Sequence, residues 1–258
     1  TAGVMGYSVD ECRNLFLKLT APGGAHEAYL TSMRLGVIWL SPVHLRKQFL
    51  HRGTEHIDPA ETYIVTSLHY GQWGMYPASL YQQLGIGSQM VISGRNRRPD
   101  SNQSYFWKRF GHDRQHLSGY PGRFSTDTFF QHVNQLKRGI SQIVILDVRE
   151  RGLAQKEISV PFLGAPMYLP RAVPLLAKRA GVRILPYLGC YDPGAGKHRV
   201  EWFPPVAYQG DDTATTAAVL RYFEPLFQEH PEFYFNDLAS FRRPFPATTR
   251  SRPGPAAQ

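Results

Sequence analysis

The chain has 258 residues, 42% of them hydrophobic, with 20 prolines and 23 glycines, which suits one large domain or a domain with a helical annex and a sizeable core. No stretch approaches the roughly 18 uninterrupted apolar residues of a spanning helix, and no secretory signal is visible, although a start at Thr1 leaves room for an upstream segment. Two cysteines, Cys12 and Cys190, make neither a disulfide framework nor a metal cluster and point to a reducing compartment. The net charge of +9 favours anionic partners: nucleic acid, an anionic membrane surface, an acidic carrier protein or the phosphates of coenzyme A. The basic residues are dispersed, as in Arg95-Asn-Arg97-Arg98, Lys137-Arg138 and Lys178-Arg179, with no recognisable nucleic-acid module, so a nucleic-acid partner is not expected.

In chain order, residues 8 to 50 read as helices. Ser8 is a plausible N-cap for the run to Leu19. The stretch His26 to Leu50 sets Trp39, Leu35, Ile38 and Leu40 against Arg34, His44, Arg46 and Lys47. Such a basic amphipathic helix can lie on a membrane surface or pack on a sheet with its basic face in solvent. Strand-like and helix-like segments then alternate. Tyr63 to Leu68 is a buried strand, followed by a helix-compatible stretch from Met75 to Leu84 and a second strand at Gln89 to Ser93. A helix over Thr126 to Leu136 precedes a strand at Gln142 to Leu146; a helix over Arg171 to Ala180, C-capped by Gly181, precedes a strand at Val182 to Leu188. His198 to Phe203 is a fifth strand, Thr213 to Gln228 a C-terminal helix, and His230-Pro-Glu-Phe-Tyr-Phe its docking segment. This alternation predicts an α/β fold: a mixed, largely parallel central sheet flanked by helices. The expected divisions are an N-terminal helical segment at 1–52, an α/β domain at 53–240 and a disordered basic tail at 241–258, rich in Pro, Arg, Ser and Ala.

Several familiar signatures fail. His26-Glu27-Ala-Tyr-Leu lacks the second histidine of a zinc protease helix, and Gly194-Ala-Gly196-Lys197-His198 lacks the spacing and the Ser/Thr of a P-loop. No G-x-S-x-G nucleophile elbow exists. Cys190, Asp192 and His198 could be imagined as a thiol triad, but a core cysteine at a strand end before a Pro/Gly turn is the simpler account. No metal site is expected.

Two ordered blocks survive. The first is Gly53-Thr-Glu55-His56-Ile-Asp58-Pro-Ala60, then the strand, then His69-Tyr-Gly71-Gln72-Trp73. The second runs from Leu136-Lys-Arg-Gly139 through Ile143-Val-Ile-Leu-Asp147 and Ile158-Ser-Val160-Pro161-Phe162-Leu-Gly164-Ala-Pro166 to Leu175-Leu-Ala-Lys-Arg-Ala-Gly181-Val-Arg-Ile-Leu-Pro186. Together they resemble the lysophospholipid acyltransferase superfamily, most closely its lipid A late acyltransferases and their phosphatidylinositol mannoside relatives. The resemblance runs from about Gly53 to Pro186, with a weaker echo at Pro231-Glu-Phe-Tyr-Phe.

The resemblance implies a glycerolipid acyltransferase-like fold and transfer of an acyl group from an acyl carrier protein or coenzyme A thioester to a lipid or small-molecule acceptor. It implies no other cofactor, and a place in the cytoplasm, peripheral on the inner face of the membrane. His69 matches the histidine of the family's H-x4-D/E motif, a general base suited to work near neutral pH. A strand-to-helix turn offers backbone N–H groups to an oxyanion, so Gly71 and Gln72 are candidates there, with Trp73 walling the acyl site. Asp147, Arg149 and Glu150 follow the third strand, at an expected ligand position of an α/β sheet. A capping Asp with a surface Arg-Glu pair is the alternative. Arg95 and Asn96 follow the second strand, where relatives face phosphorylated ligands. Phe162 and Gly164 would shape the acyl tunnel or a turn.

One residue departs from the pattern. Where the family carries its acid, this chain has Gly74. Three accounts compete: a carboxylate from elsewhere (Glu55, Asp147 or Glu150) reaches the imidazole; the base acts without one, its tautomer held by a backbone carbonyl, Ser67 or Gln72; or catalysis is lost and the chain binds an acyl ligand or a carrier protein.

Overall fold

A computed structural model describes residue 10 and residues 47–71, 73, 76, 80, 88–90, 92–93, 119–120, 126–148, 157–192, 194–234 and 238–244. Their elements in chain order are strands β1 (Phe49–Arg52), β2 (Tyr63–Ser67), β3 (Ser88–Met90), β4 (Ile92–Ser93) and β5 (Gly119–Tyr120), helix α1 (Thr126–Lys137), strands β6 (Ser141–Ile145), β7 (Glu157–Phe162) and β8 (Ala165–Pro170), helix α2 (Ala172–Ala180), strands β9 (Arg183–Asp192) and β10 (Lys197–Trp202), and helix α3 (Asp212–Glu229). Short 3-10 turns cover Thr54–His56, Pro231–Phe233 and Leu238–Arg242.

The central sheet has the order β1-β10-β9-β2-β6-β3. Every neighbouring pair runs parallel except β9 with β10, so the sheet is mixed and largely parallel, as the alternation predicts. β2 and β6 are buried along their whole length, the signature of parallel strands covered on both faces. Successive residues serve opposite faces. Ile64, Val144, Ile184 and Leu188 join the helices α1, α2 and α3 in one apolar cluster; Tyr63, Val65, Ile143, Ile145, Leu185 and Tyr187 join Phe49, Tyr76 and Trp202 in the other. The helix starts follow local chemistry: Asp211 caps α3 by accepting from the N–H of Ala214, and Gly181 ends α2 in the left-handed region.

The structure corrects the sequence reading at three places. Phe49 and Leu50, expected to end a helix, belong to β1, which pairs with β10; the expected helical segment 1–52 therefore ends in a strand, and 1–9 and 11–46 lie outside the described residues. The segment around Pro161 and Gly164, read as shaping the acyl tunnel or as a turn between strand and helix, is a β-hairpin in which β7 pairs antiparallel with β8. Leu163 and Gly164 both take positive φ, 51° and 71°, the backbone of a tight two-residue hairpin turn. Phe241 and Arg242, expected in the tail, belong to the fold: Phe241 is buried in the core and one Arg242 nitrogen donates to the carbonyls of Phe162, Ala165 and Pro166. Residues 245–258 are not among those described. No helix among the described residues is long and apolar enough to cross a membrane.

Candidate active site

β2 and β6 lie side by side and parallel, with Ser67 in register with Ile145. Both strands end there, and the amide of Leu146 donates to the carbonyl of Ser67 at 2.9 Å, carrying the alignment one step further. His69 and Asp147 each stand two residues past that matched pair, so the register delivers them together at the carboxyl end of the sheet, where α/β proteins place ligands. Asp147 Oδ1 lies 2.9 Å from His69 Nδ1 and accepts the backbone N–H of His69 at 3.0 Å. A carboxylate oxygen can only accept, so Nδ1 is the ring nitrogen that donates, and in a neutral imidazole Nε2 then carries the lone pair. The Asp147 side chain is fully buried, whereas that of His69 keeps 25% of its surface exposed. The pair is thus held from below and open above.

Of the three carboxylates considered for the imidazole, the structure brings Asp147 to it. Glu55 is exposed on the Thr54–His56 turn, and Glu150 lies outside the described residues, as do Gln72, Gly74, Arg95, Asn96 and Arg149. Phe162 is buried in the core and meets Phe227 edge-on, with ring centroids 5.1 Å apart, and Gly164 forms the hairpin turn with nothing near a would-be Cβ. The Trp73 and His69 rings meet in a T-shaped pair, with centroids 4.9 Å apart and planes at 73°. The Trp73 carbonyl accepts the Tyr187 hydroxyl at 2.6 Å. Burial pushes that phenol well above its ordinary value, so it remains a donor there.

The expectation that the Gly71 N–H faces an oxyanion is corrected. That amide donates to the carbonyl of Phe233 at 2.8 Å, and the amide of Tyr70 donates to the carbonyl of Leu68; with the His69 amide on Asp147, the N–H groups of His69, Tyr70 and Gly71 are all engaged. Gly71 serves a close approach instead. Its φ is +54°, and a Cβ there would lie 2.1 Å from the Gly189 carbonyl oxygen and 2.7 Å from the Tyr76 hydroxyl. Gly71→Ala combines left-handed strain with overpacking, together about 2–5 kcal/mol. Urea denaturation is expected to show that loss, and an unchanged midpoint would refute the close packing of this turn on β9.

Residues that the sequence reading passed over complete the site. Tyr234 donates its hydroxyl to Asp147 Oδ2 at 2.9 Å. Tyr70 donates to the carbonyls of Leu226 and His230 at the end of α3 and forms a β-bridge with Tyr234. The sequence marks this segment as the docking segment of the C-terminal helix and as a weak family echo, but nothing local in it announces a partner 87 residues away. The imagined thiol triad dissolves. Burial pushes the Cys190 thiol up to about 12, Asp192 caps the amides of Gly194 and Ala195, and His198 stacks on Phe49.

A largely parallel sheet that presents a buried Asp and a part-exposed His at its carboxyl edge defines an α/β protein with a candidate active site at that edge. The chain belongs to the bacterial lipid A biosynthesis acyltransferase family, whose pattern matches residues 28–242. It is similar to the crystal structure of the 1-acyl-sn-glycerophosphate (LPA) acyltransferase, PlsC, from Thermotoga maritima, at 15% identity and a TM-score of 0.45, over 84% of this chain and 90% of that one. No curated protein matches the chain.

Proposed function

We propose that the protein transfers an acyl group from an acyl carrier protein or coenzyme A thioester to a hydroxyl or amine of a lipid or small-molecule acceptor. His69 is the general base and Asp147 the acid that orients it. The observation that supports this reading is the 2.9 Å His69–Asp147 pair, which supplies from β6 the carboxylate missing at Gly74. It favours catalysis over a binding protein with a retired site, because a carboxylate in hydrogen-bonding reach keeps the imidazole in the tautomer a base requires. His69 Nε2 takes the acceptor proton as the acceptor atom attacks the thioester carbonyl. The tetrahedral intermediate collapses with cleavage of the C–S bond, and the imidazolium returns its proton to the leaving sulfur. Trp73 walls the acyl side. Arg95, Asn96, Arg149 and Glu150 remain the candidates for donor and acceptor contacts. The reaction exchanges a thioester for an ester or amide and needs neither redox nor metal chemistry. The net charge of +9 fits an acidic carrier protein or an anionic membrane face, and we place the protein peripherally on the cytoplasmic side.

The test is mass spectrometry of the purified protein with acyl carrier protein and coenzyme A donors and a broad acceptor mixture, comparing wild type with His69→Ala. Acylated product that disappears in the variant is the expected result. Tight donor retention by both proteins without product would replace this reading with the binding one.

A further inference from the structure

We infer that Tyr234 is a positioning residue for the proton transfer at His69, acting through Asp147; this rests on the acyl-transfer reading above. Asp147 is fully buried and its two oxygens face different tasks. Oδ1 takes the His69 ring and backbone N–H groups, and Oδ2 takes the Tyr234 hydroxyl. A carboxylate on a strand end can rotate about its terminal torsion, and such torsions are soft. The phenol fixes that rotation by holding Oδ2, which leaves Oδ1 aimed at Nδ1. A hydrogen bond to a charged acceptor is also among the stronger ones in a protein, and here it spreads the charge the imidazolium feels.

Tyr234 is itself held from several sides. Its backbone forms the bridge to Tyr70, its ring packs on Phe227 at 5.0 Å, and the preceding Phe233 carbonyl takes the Gly71 amide. Tyr70, locked onto the last carbonyls of α3, is the neighbour of His69 in the chain. The turn that carries the base and the segment that carries the phenol are therefore one hydrogen-bonded unit. In a chain with Gly74 in place of the family's acid, the orienting group arrives on a different strand, and Tyr234 supplies part of the alignment that a motif acid beside the base would have.

Tyr234→Phe keeps the ring and its packing and deletes the donor. It is expected to lower kcat about tenfold with KM held within about twofold, the pattern of an interaction lost in the transition state. Without the phenol the Asp147 charge is more concentrated and holds the imidazolium more tightly, so the acid limb of the kcat/KM profile moves to higher pH. In unliganded protein, the NMR resonance of the His69 Nδ1 proton should shift. In an Asp147→Asn background the same change should cost little more, because the phenol acts through the carboxylate. Wild-type kcat, pH profile and Nδ1 resonance in Tyr234→Phe would overturn the inference, as would a loss of thermal stability with the profile and the resonance unmoved. If wild type transfers no acyl group, the functional reading falls, and the Nδ1 resonance alone decides whether Tyr234 positions Asp147 and His69.

Discussion

Asp147→Asn is expected to lower kcat by about 10³–10⁴ while leaving KM nearly unchanged, by analogy with the loss when the orienting Asp of a serine protease triad is made neutral. The physical reason is the tautomer. Asp147 Oδ1 accepts both the backbone and ring N–H of His69. An amide in its place either keeps an oxygen toward Nδ1, which sets its NH2 against the donating hydroxyl of Tyr234, or turns its NH2 toward the ring. The second arrangement demands a lone pair on Nδ1 and moves the proton to Nε2, where the base must be empty. Asp147→Ala leaves the buried Tyr234 hydroxyl and the His69 amide without this acceptor, at about 1–3 kcal/mol each, and should lose stability as well as rate. Steady-state kinetics on both variants, with urea midpoints alongside, check the prediction. Retention of more than a tenth of the wild-type kcat by Asp147→Asn would mean that the base is oriented by another group.

The pairing of His69 with Asp147 was half legible in the sequence. Both strands that lead to these residues are short, mostly apolar runs, and each ends one residue before the expected Leu68 and Leu146. Parallel pairing of β2 with β6 then sets their ends side by side, and the equal spacing past Ser67 and Ile145 does the rest. Pairing partner and register, however, are decided by which faces become buried together, so Glu55 and Glu150 competed with Asp147 until the sheet order was known. The β7–β8 hairpin was illegible for a different reason. It contains Pro161, Pro166 and Pro170, and Pro161 stands opposite Pro166. Proline argues against a central strand, but a two-stranded ribbon has free edges where its missing N–H costs nothing. Pro186 was placed in a strand correctly despite the same objection. It sits where β9 changes partner, pairing with β2 up to Pro186 and with β10 from Tyr187 onward. The turn at Leu163 also hid its type, since a leucine at φ 51° is not the Asn or Gly that announces such a hairpin.

Acid should unfold this protein well before its carboxylates are all protonated. His132 and His198 are almost wholly buried and His51 is half-buried. Burial pushes each from its ordinary value down to about 4, with a hydrogen bond to Gln142 working weakly against this at His132. His51 accepts the indole N–H of Trp202 on Nδ1 at 2.8 Å, and a proton there would evict the donor. His198 stacks between Phe49 and the edge of Tyr191, with Tyr76 nearby. In the unfolded chain these histidines titrate near 6.5. Between pH 6.5 and 4 the unfolded state therefore binds protons that the folded state refuses, and stability falls as pH falls. Above 6.5 the contribution is complete. Each fully buried histidine is worth about 3 kcal/mol across that window, and two or three of them rival the roughly 5–15 kcal/mol that holds a domain together. Thermal melts from pH 7.5 to 4.5 should show a steep decline beginning below about pH 6.5, with net proton uptake on unfolding. His198→Phe, which keeps an aromatic ring among its aromatic neighbours and removes the titrating group, should flatten that decline by roughly a third if the three sites contribute comparably. A Tm independent of pH over this range would show that the three imidazoles take up protons alike in the folded and unfolded chain, and would contradict their burial.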